Sequence, residues 1–444
     1  MENYFKFTEN NTNLRTEIIA GVTTFLTMAY IIIIQPAILS SDFTGNPTGL
    51  GINEVFLATC IGSSLTCMIM GFYARWPIAL SCGMGENFFF ISVIMSLSAM
   101  GISHAWQVTL GMVFISGLVF FLLSLCKVTQ VLTEAVPQSL KAAIAVGIGL
   151  FIAFIGFKNA GVIVDHPGTL VTLTKDFFTV NMLVFATGLF ITVTLMVFKI
   201  RGALLLGIVA ASVLALILGK IHFNGVVSLP DINKNAFLDL DIIGCLNITF
   251  IPFLLVFLVM DVFDTMGTLC AVAEHGGYVK DNKIPRADKV FVADASGSMI
   301  SAFVGTSTIT AFIESTTGIA EGGRTGLTSI VVGLLFLVAL FFTPVITMLG
   351  SYAPITAPAL IIVGAMMLKS ARNIDFQDPS EYIPAFITLI TIPLTFSIAD
   401  GLALGFISFA AIKLISGKGN DVHWLMYIIS LLLLAYFLFV RSLI

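Results

Sequence analysis

Apolar runs of about the 20 residues that a bilayer core asks of a helix follow one another from residue 17 to residue 440. Hydropathy places seven at roughly 17–39, 54–74, 78–98, 105–126, 134–160, 180–199 and 202–220. A polar break runs from Lys220 to Leu246, and seven more follow at roughly 250–273, 287–304, 306–322, 325–346, 354–371, 382–398 and 400–416. The pattern predicts an all-α polytopic membrane protein of about fourteen spans, with no room for a soluble domain, so 1–444 reads as one integral membrane domain. A last apolar run, 424–440, is left as a further span or a surface helix, or else 382–416 is a re-entrant hairpin.

Seven spans before the break reverse the starting side, so the second half can repeat the first upside down: repeat one 17–220, repeat two 250–440. RGALLLGI (201–208) and DGLALGF (400–406) open the last span of each half and resemble one another. The third span is the disturbed one in both. It reads PIALSCGMGENFFF (77–90) in the first and GTSTITAFIESTTGIAEGGRTG (305–326) in the second. Irregular backbone at bilayer depth is tolerated only where it is buried in protein or lines a cavity. Paired Gly-interrupted spans at corresponding positions mark a transporter's midplane site.

Composition agrees: 58% of residues are hydrophobic and 10% charged, with mean hydropathy +1.04. The net charge of −4 matters less than where Lys and Arg fall. Arg15, Arg75, Lys127, Lys199 and Arg201 sit on one side of the predicted membrane, joined by Lys280, Lys283, Arg286, Lys289, Lys369, Arg372, Lys413 and Lys418. The opposite loops carry Asp42, and Asp231, Asp239 and Asp241 against Lys234. This places the N-terminus in the cytoplasm and the protein, multi-pass, in the cytoplasmic membrane. The opening MENYFKFTENNTNLRTE lacks the apolar core of a removable signal peptide. Nothing points to nucleic acid. The cysteines (60, 67, 82, 126, 245, 270) form no CxxC and read as buried apolar residues. The histidines (104, 166, 222, 275, 423) form no metal-spaced pair, so we expect no metal, no cofactor and no Ser-His-Asp enzyme.

Three segments carry candidate chemistry. Thr306, Ser307, Thr308, Ile309 and Thr310 favour extended backbone, so a short extended piece at about 305–310 should lead into a half-helix carrying Glu314 as an acceptor. Its first amides would face the cavity as donors. In span eight, Asp261, Asp264, Thr265 and Thr268 fall at i, i+3, i+4 and i+7 and make one polar face that must look into the protein. Asp261 and Asp264, one turn apart, disfavour each other's ionised form, which makes them candidate proton carriers. In span three, Gly83 and Gly85 allow close backbone approach, Asn87 offers donor and acceptor, and Phe88 could stack on a flat ligand. Glu86 lines the cavity, pairs with Arg75 or Arg324, or faces the cytoplasmic vestibule. Glu321 and Arg324, three residues apart beside Gly322 and Gly323, read as an ion pair bracing the end of the half-helix.

With these residues in place, the chain resembles the AzgA-like purine permeases of the nucleobase-ascorbate transporter superfamily. EIIAGVTTFLTMAYI (17–31), GMGENFFF (83–90), MDVFDTMGTL (260–269) and KIPRADKVFVADASGSMISAFVGTSTITAFIESTTGIAEGGRTGLTS (283–329) carry the likeness. The resemblance implies two inverted seven-span repeats, a core domain (17–126 and 250–346) and a gate domain (134–220 and 354–440), with substrate between them. It implies that Asp261, Glu314 and Asn87 bind the nucleobase; to these the reading of the residues adds Thr308, Gly85 and Phe88 as candidates. Two departures stand out: Glu86, where relatives often carry an aliphatic residue, and Gln35-Pro36 in place of a common Asn-Pro. The expected function is import of guanine, hypoxanthine or adenine by proton symport, with Asp264, Asp261 or Glu314 taking up the proton. Alternatives are a xanthine or uracil carrier, sodium coupling, or an anion carrier of the same architecture; the last would want a basic cavity residue. Expected partners are the base, the bilayer and, as an option the residues leave open, a second copy in a homodimer.

Overall fold

Span one shows how local chemistry shapes the backbone. Asn13 caps α1 (Leu14–Met28), its side chain accepting from the Thr16 amide. The helix breaks at Ala29 and Tyr30 and restarts as α2 (Ile31–Leu39), with Pro36 inside it. Pro36 gives up the helical hydrogen bond to the Ile32 carbonyl, inside α2 and beyond the break. The computed structural model describes residues 2–126, 136–223, 225–230, 237–278, 284–435 and 437–438. Of the charges used for orientation, Lys127, Asp231, Lys234, Lys280 and Lys283 lie outside the described residues, as do 439–440 at the end of the last apolar run.

After α3 (Ile52–Ile69) the chain turns through Arg75 in the left-handed region into β1 (Leu80–Cys82) and then α4 (Met84–Ala99). α5 (Ala105–Leu125) and α6 (Gln138–Asn159) follow, then a β-hairpin, β2 (Ile163–His166) with β3 (Leu170–Leu173), and α7 (Val180–Val197) and α8 (Ala203–Ile217). The second half runs through α9 (Ile251–Gly276), α10 (Ala287–Val304), β4 (Ile309–Ala311), α11 (Ser315–Ala320), α12 (Gly326–Ala339) and α13 (Thr343–Gly350). It closes with α14 (Ala353–Met367), α15 (Pro379–Thr395), α16 (Ile398–Ile415) and α17 (Trp424–Ala435). Among the described residues, nine helical stretches are long and apolar enough to cross a membrane, and α4, α8 and α17 are apolar but shorter.

β1 and β4 pair antiparallel, Leu80 opposite Ala311, Ser81 opposite Thr310 and Cys82 opposite Ile309. Each strand leads into a helix, α4 or α11, so equivalent pieces of the two halves point in opposite directions. Packing repeats the symmetry: α14 lies on α7 as α6 lies on α15, and α7 pairs with α8 as α15 pairs with α16. One helix group gathers α1–α5 with α9–α12, and the other α6–α8 with α14–α16. α17 stands outside the repeat and packs on α16, Ser430 Oγ donating to the Phe406 carbonyl at 3.0 Å. The extended piece lies a few residues later than the sequence suggests, because Gly305 ends α10 at φ +90°.

One end of the bundle collects the basic residues expected inside. Arg75 stacks on the Tyr4 ring at 4.1 Å, the Tyr278 hydroxyl donates to the Arg324 carbonyl at 3.0 Å, and Arg201 pairs with Glu321. At the ends of α15 and α16, Lys413 binds Glu381 at 2.6 Å, while Lys418 and Ser380 hold Asp378 below the usual carboxylate range. Glu17 is the buried member of the first cluster. Its carboxylate accepts from the Arg324 amide (2.8 Å), the Thr325 amide (3.2 Å) and the Thr328 hydroxyl (2.6 Å), and so caps α12 from span one. Close approach helps: a Cβ on Gly326 would sit 2.0 Å from the Gly71 carbonyl oxygen. Loss of a multiply bonded buried carboxylate costs about 2–4 kcal/mol. Glu17→Ala should therefore lower the unfolding midpoint of the detergent-solubilised protein well below that of Glu17→Gln, and equal midpoints for Glu17→Ala and the unaltered protein would refute the cap.

Candidate functional site

The break in span one delivers Tyr30 to the middle of the fold. Its hydroxyl donates to Glu314 Oε1 at 2.9 Å, and Glu314 occupies the N-cap position of α11 just beyond β4. Asp264 of α9 comes to the same place: α9 packs on β4 and α11, with Thr268 Oγ1 donating to the Ala311 carbonyl at 3.1 Å, and the Thr310 hydroxyl of β4 lies within hydrogen-bonding reach of Asp264. Glu314 is half-buried and Asp264 exposed, while Asp261, one turn earlier, is 1% exposed. Span eight thus turns Asp264 to open space and Asp261 inward, where its Oδ2 accepts from the Ser298 hydroxyl at 2.5 Å.

The open space is a stripe along α9. Asp264, Gly267 and Glu274 are exposed, and a methyl on Gly267 would meet nothing within 4 Å. From Pro252 to Phe263 no residue of the helix is exposed. The cleft therefore opens toward the C-terminal end of α9 and closes toward its start. A knot of rings closes that other end: Phe43 stacks on Phe88 at 6.3 Å, and Phe151 and Phe396 meet edge to face at 5.7 Å. Phe88 also contacts Phe151, and Phe43 contacts Phe396. These contacts join the two helix groups. Phe88 accordingly belongs to this seal in the structure, buried away from the cleft.

Asn87 lies just behind the cleft. Its amide donates to Gln35 Oε1, its carbonyl accepts from Ser307 Oγ, and Gln35 Nε2 donates to Thr306 (3.1 Å) and Ser307 (2.9 Å). This closed network fixes α2, α4 and the approach to β4 to one another. Thr308 is buried, its carbonyl accepting from the Gly83 amide at 3.0 Å. Gly85 lets α4 approach α6, where a Cβ would stand 3.2 Å from Ile148. Glu86 is buried and folds over the start of its own helix, its Oε2 occupying the space of a Cβ on Gly83. Among the described residues it makes no ion pair with Arg75 or Arg324.

Two features depart from the sequence reading. α11 is only six residues long, and the amides of Ser315, Thr316 and Thr317 already donate to the carbonyls of Phe312, Ile313 and Glu314. The short helix therefore closes its own first turn instead of presenting open donors. Glu321 and Arg324 both brace this end, though not as a pair. Glu321 binds Arg201 of the other helix group, and the Arg324 guanidinium donates to the Ile319 and Gly323 carbonyls. Sequence reasoning passed over Tyr30, Glu17 and the buried Asp294 and Ser298 of α10. An acid with a hydroxyl residue four positions later inside an apolar run, as in Asp294-Ala-Ser-Gly-Ser298, repeats the Asp261–Thr265 signal and could have flagged the last two.

The sequence model of the Permease family matches residues 15–404. The chain is 39% identical to the guanine/hypoxanthine permease PbuO of Bacillus subtilis, over 96% of this chain and 98% of that one. It is also 39% identical to the adenine permease AdeQ of Escherichia coli, over 96% and 94%. In fold it matches the transmembrane domain of the cyanobacterial bicarbonate transporter BicA, with TM-score 0.64 and 15% identity, covering 88% of this chain and 97% of that domain. PbuO and AdeQ are transporters rather than enzymes, and the chain belongs to the permease family of the matching sequence model, the nucleobase-ascorbate transporters.

Proposed function

We propose that this protein imports purine bases of the guanine, hypoxanthine and adenine class across the cytoplasmic membrane, with a proton as coupling ion and its N-terminus inside. The observation that carries the proposal is the convergence of Glu314 and Asp264 on one water-accessible cleft between the two helix groups, in a relative of guanine/hypoxanthine and adenine permeases. A neutral planar base presents N–H donors, and two carboxylates at the cleft accept from them. Asp264 takes the span-eight contact that the sequence assigned to Asp261, because Asp264 faces the cleft. Asn87, Thr308 and Gly85 support the site from behind. Such a site rejects analogues that lack the matching donors far more strongly than an apolar pocket can. An anion would meet acids here, which argues against an anion carrier.

Transport then consists of the core (17–126 and 250–346) moving against the gate (134–220 and 354–440). The cleft open toward the α9 C-terminus and the ring seal at Phe43, Phe88, Phe151 and Phe396 support an inward-open state. The basic cluster of Arg75, Arg201 and Arg324 at that same end supports its being cytoplasmic. The apolar outer faces of α7 and α8, with Phe190, Val197 and Ile217 exposed, are available to lipid or to a second copy in a homodimer.

Replacing an ionised acceptor costs about 1.5–3 kcal/mol, roughly ten- to hundredfold in affinity. Glu314→Gln should therefore raise the concentration for half-maximal guanine or hypoxanthine uptake by that factor, and unchanged saturable uptake would remove Glu314 from the site. Accessibility provides an independent check. In a background lacking Cys126 and Cys270, Gly267→Cys should react with a membrane-impermeant maleimide from the cytoplasmic side, more slowly in saturating guanine, while the buried Thr265→Cys does not. Labelling of Gly267→Cys from outside only would contradict the inward-open reading.

A further inference from the structure

Behind the cleft, α9 and α10 cross antiparallel and exchange hydrogen bonds between acids and hydroxyls. Asp261 and Thr265 lie one turn apart on α9, Asp294 and Ser298 one turn apart on α10. Ser298 Oγ donates to Asp261 Oδ2 and Thr265 Oγ1 donates to Asp294 Oδ2, each at 2.5 Å. All four side chains are buried. The remaining oxygen of each acid, Oδ1, is also buried and meets no donor, yet the two carboxyl groups lie within hydrogen-bonding reach of one another.

Two ionised carboxylates cannot share such a place, since each loses its water and repels the other. One proton shared by the two carboxyl groups removes the repulsion and supplies a missing donor. Among the described residues, the titratable groups that act on the pair are acids: Asp264 on α9 and Glu86 on α4. The other neighbours are hydroxyls, carbonyls and small residues. β4 contributes Thr310 and the Ile309 carbonyl, 3.4 Å from Ser298 Oγ; α5 contributes Gly117 against Ser298, and α3 contributes Thr66 against Gly297.

A hydroxyl path leads from this pair to the cleft. Thr265 Oγ1 stands 3.2 Å from Thr310 Oγ1, and Thr310 reaches Asp264, which is exposed. We propose that Asp261 and Asp294 together form the site that holds the coupling proton, loaded and emptied through Thr265, Thr310 and Asp264. A proton taken from water by Asp264 passes to Thr310, whose own proton passes to Thr265, whose own proton passes to Asp294. Both hydroxyls end as they began, and the pair gains one proton. A base bound at Asp264 occupies the mouth of this path, so loading and substrate binding are linked. The inference rests on the proton-symport reading above and adds Asp294, which contacts neither the cleft nor the base.

The test uses the full chain in proteoliposomes. Asp294→Asn should keep hypoxanthine counterflow, which needs no gradient. It should lose accumulation driven by a proton gradient, and also the proton uptake that follows addition of hypoxanthine. Thr265→Val should behave likewise and Thr265→Ser should restore coupling; this second series decides the matter if Asp294→Asn fails to assemble. Gradient-driven accumulation by Asp294→Asn or Thr265→Val at the unaltered level would overturn the proposal. If the unaltered protein moves no protons, the symport reading itself fails. The infrared carbonyl band of a protonated carboxyl then judges the pair separately: present at neutral pH and lost in Asp294→Asn, it keeps the shared proton; absent from the unaltered protein, it rejects it.

Discussion

The pairing of β1 with β4 is the constraint on which the rest depends. At bilayer depth every backbone N–H and C=O needs a partner inside the protein, and a three-residue strand cannot satisfy itself. Each half therefore relies on the other. The strands bond one another, the Phe312 amide extends the ladder to the Ala79 carbonyl and the Gly83 amide extends it to the Thr308 carbonyl. Side chains complete the set: Ser315 Oγ accepts from the Ala79 amide, and Ser329 Oγ donates to the Ile78 and Cys67 carbonyls. Extended backbone is what brings Thr310, Glu314 and the start of α4 to one point, which no pair of continuous helices would do.

Around that crossing the acids are held by hydroxyls and amides. Glu17 has two amides and a threonine, Glu314 a tyrosine, Asp261 a serine and Asp294 a threonine. A buried ion pair would neutralise each charge at the cost of desolvating two groups. Hydroxyl partners leave the acid free to bind a proton or an N–H donor, because they can turn to donate or accept. The fold itself does not choose the cargo: the same architecture serves the bicarbonate transporter BicA. The side chains at the cleft have to do so, and here they include Asp264 and Glu314.

Much of this could be read from the residues, because membrane spans declare themselves by length and the broken spans by their Gly, Ser and Thr. The polar face of span eight was legible from spacing alone. Its orientation was not, since Asp261 and Asp264 are both plausible at i and i+3, and only packing against α10 decides which one turns inward. The break at Tyr30 was hidden inside an apolar run, and the β-hairpin at 163–173 in a segment too short to span, although Pro167-Gly168 marks its turn. The partners of Glu321 and Arg324 escaped for a similar reason. Proximity in sequence suggested a pair, whereas Arg201, far away in the chain, lies closer in space.

The two ends of the cleft are closed by different forces, and this bears on which state rests lowest. At the ring-sealed end, aromatic pairs contribute about 0.5–1.5 kcal/mol each beyond burial of their surface, and Phe88 and Phe151 are fully buried. At the other end one link between the helix groups is the Arg201–Glu321 pair, with the arginine side chain more than half exposed, and such pairs contribute about 0–1 kcal/mol. Opening the first end requires wetting apolar rings, while the second opens by breaking a contact that water replaces. On these two contacts the ring-sealed end is the costlier one to open. In the proposed cycle that opening follows release of the base, and the charge state of the buried acids in the core is what the release changes there.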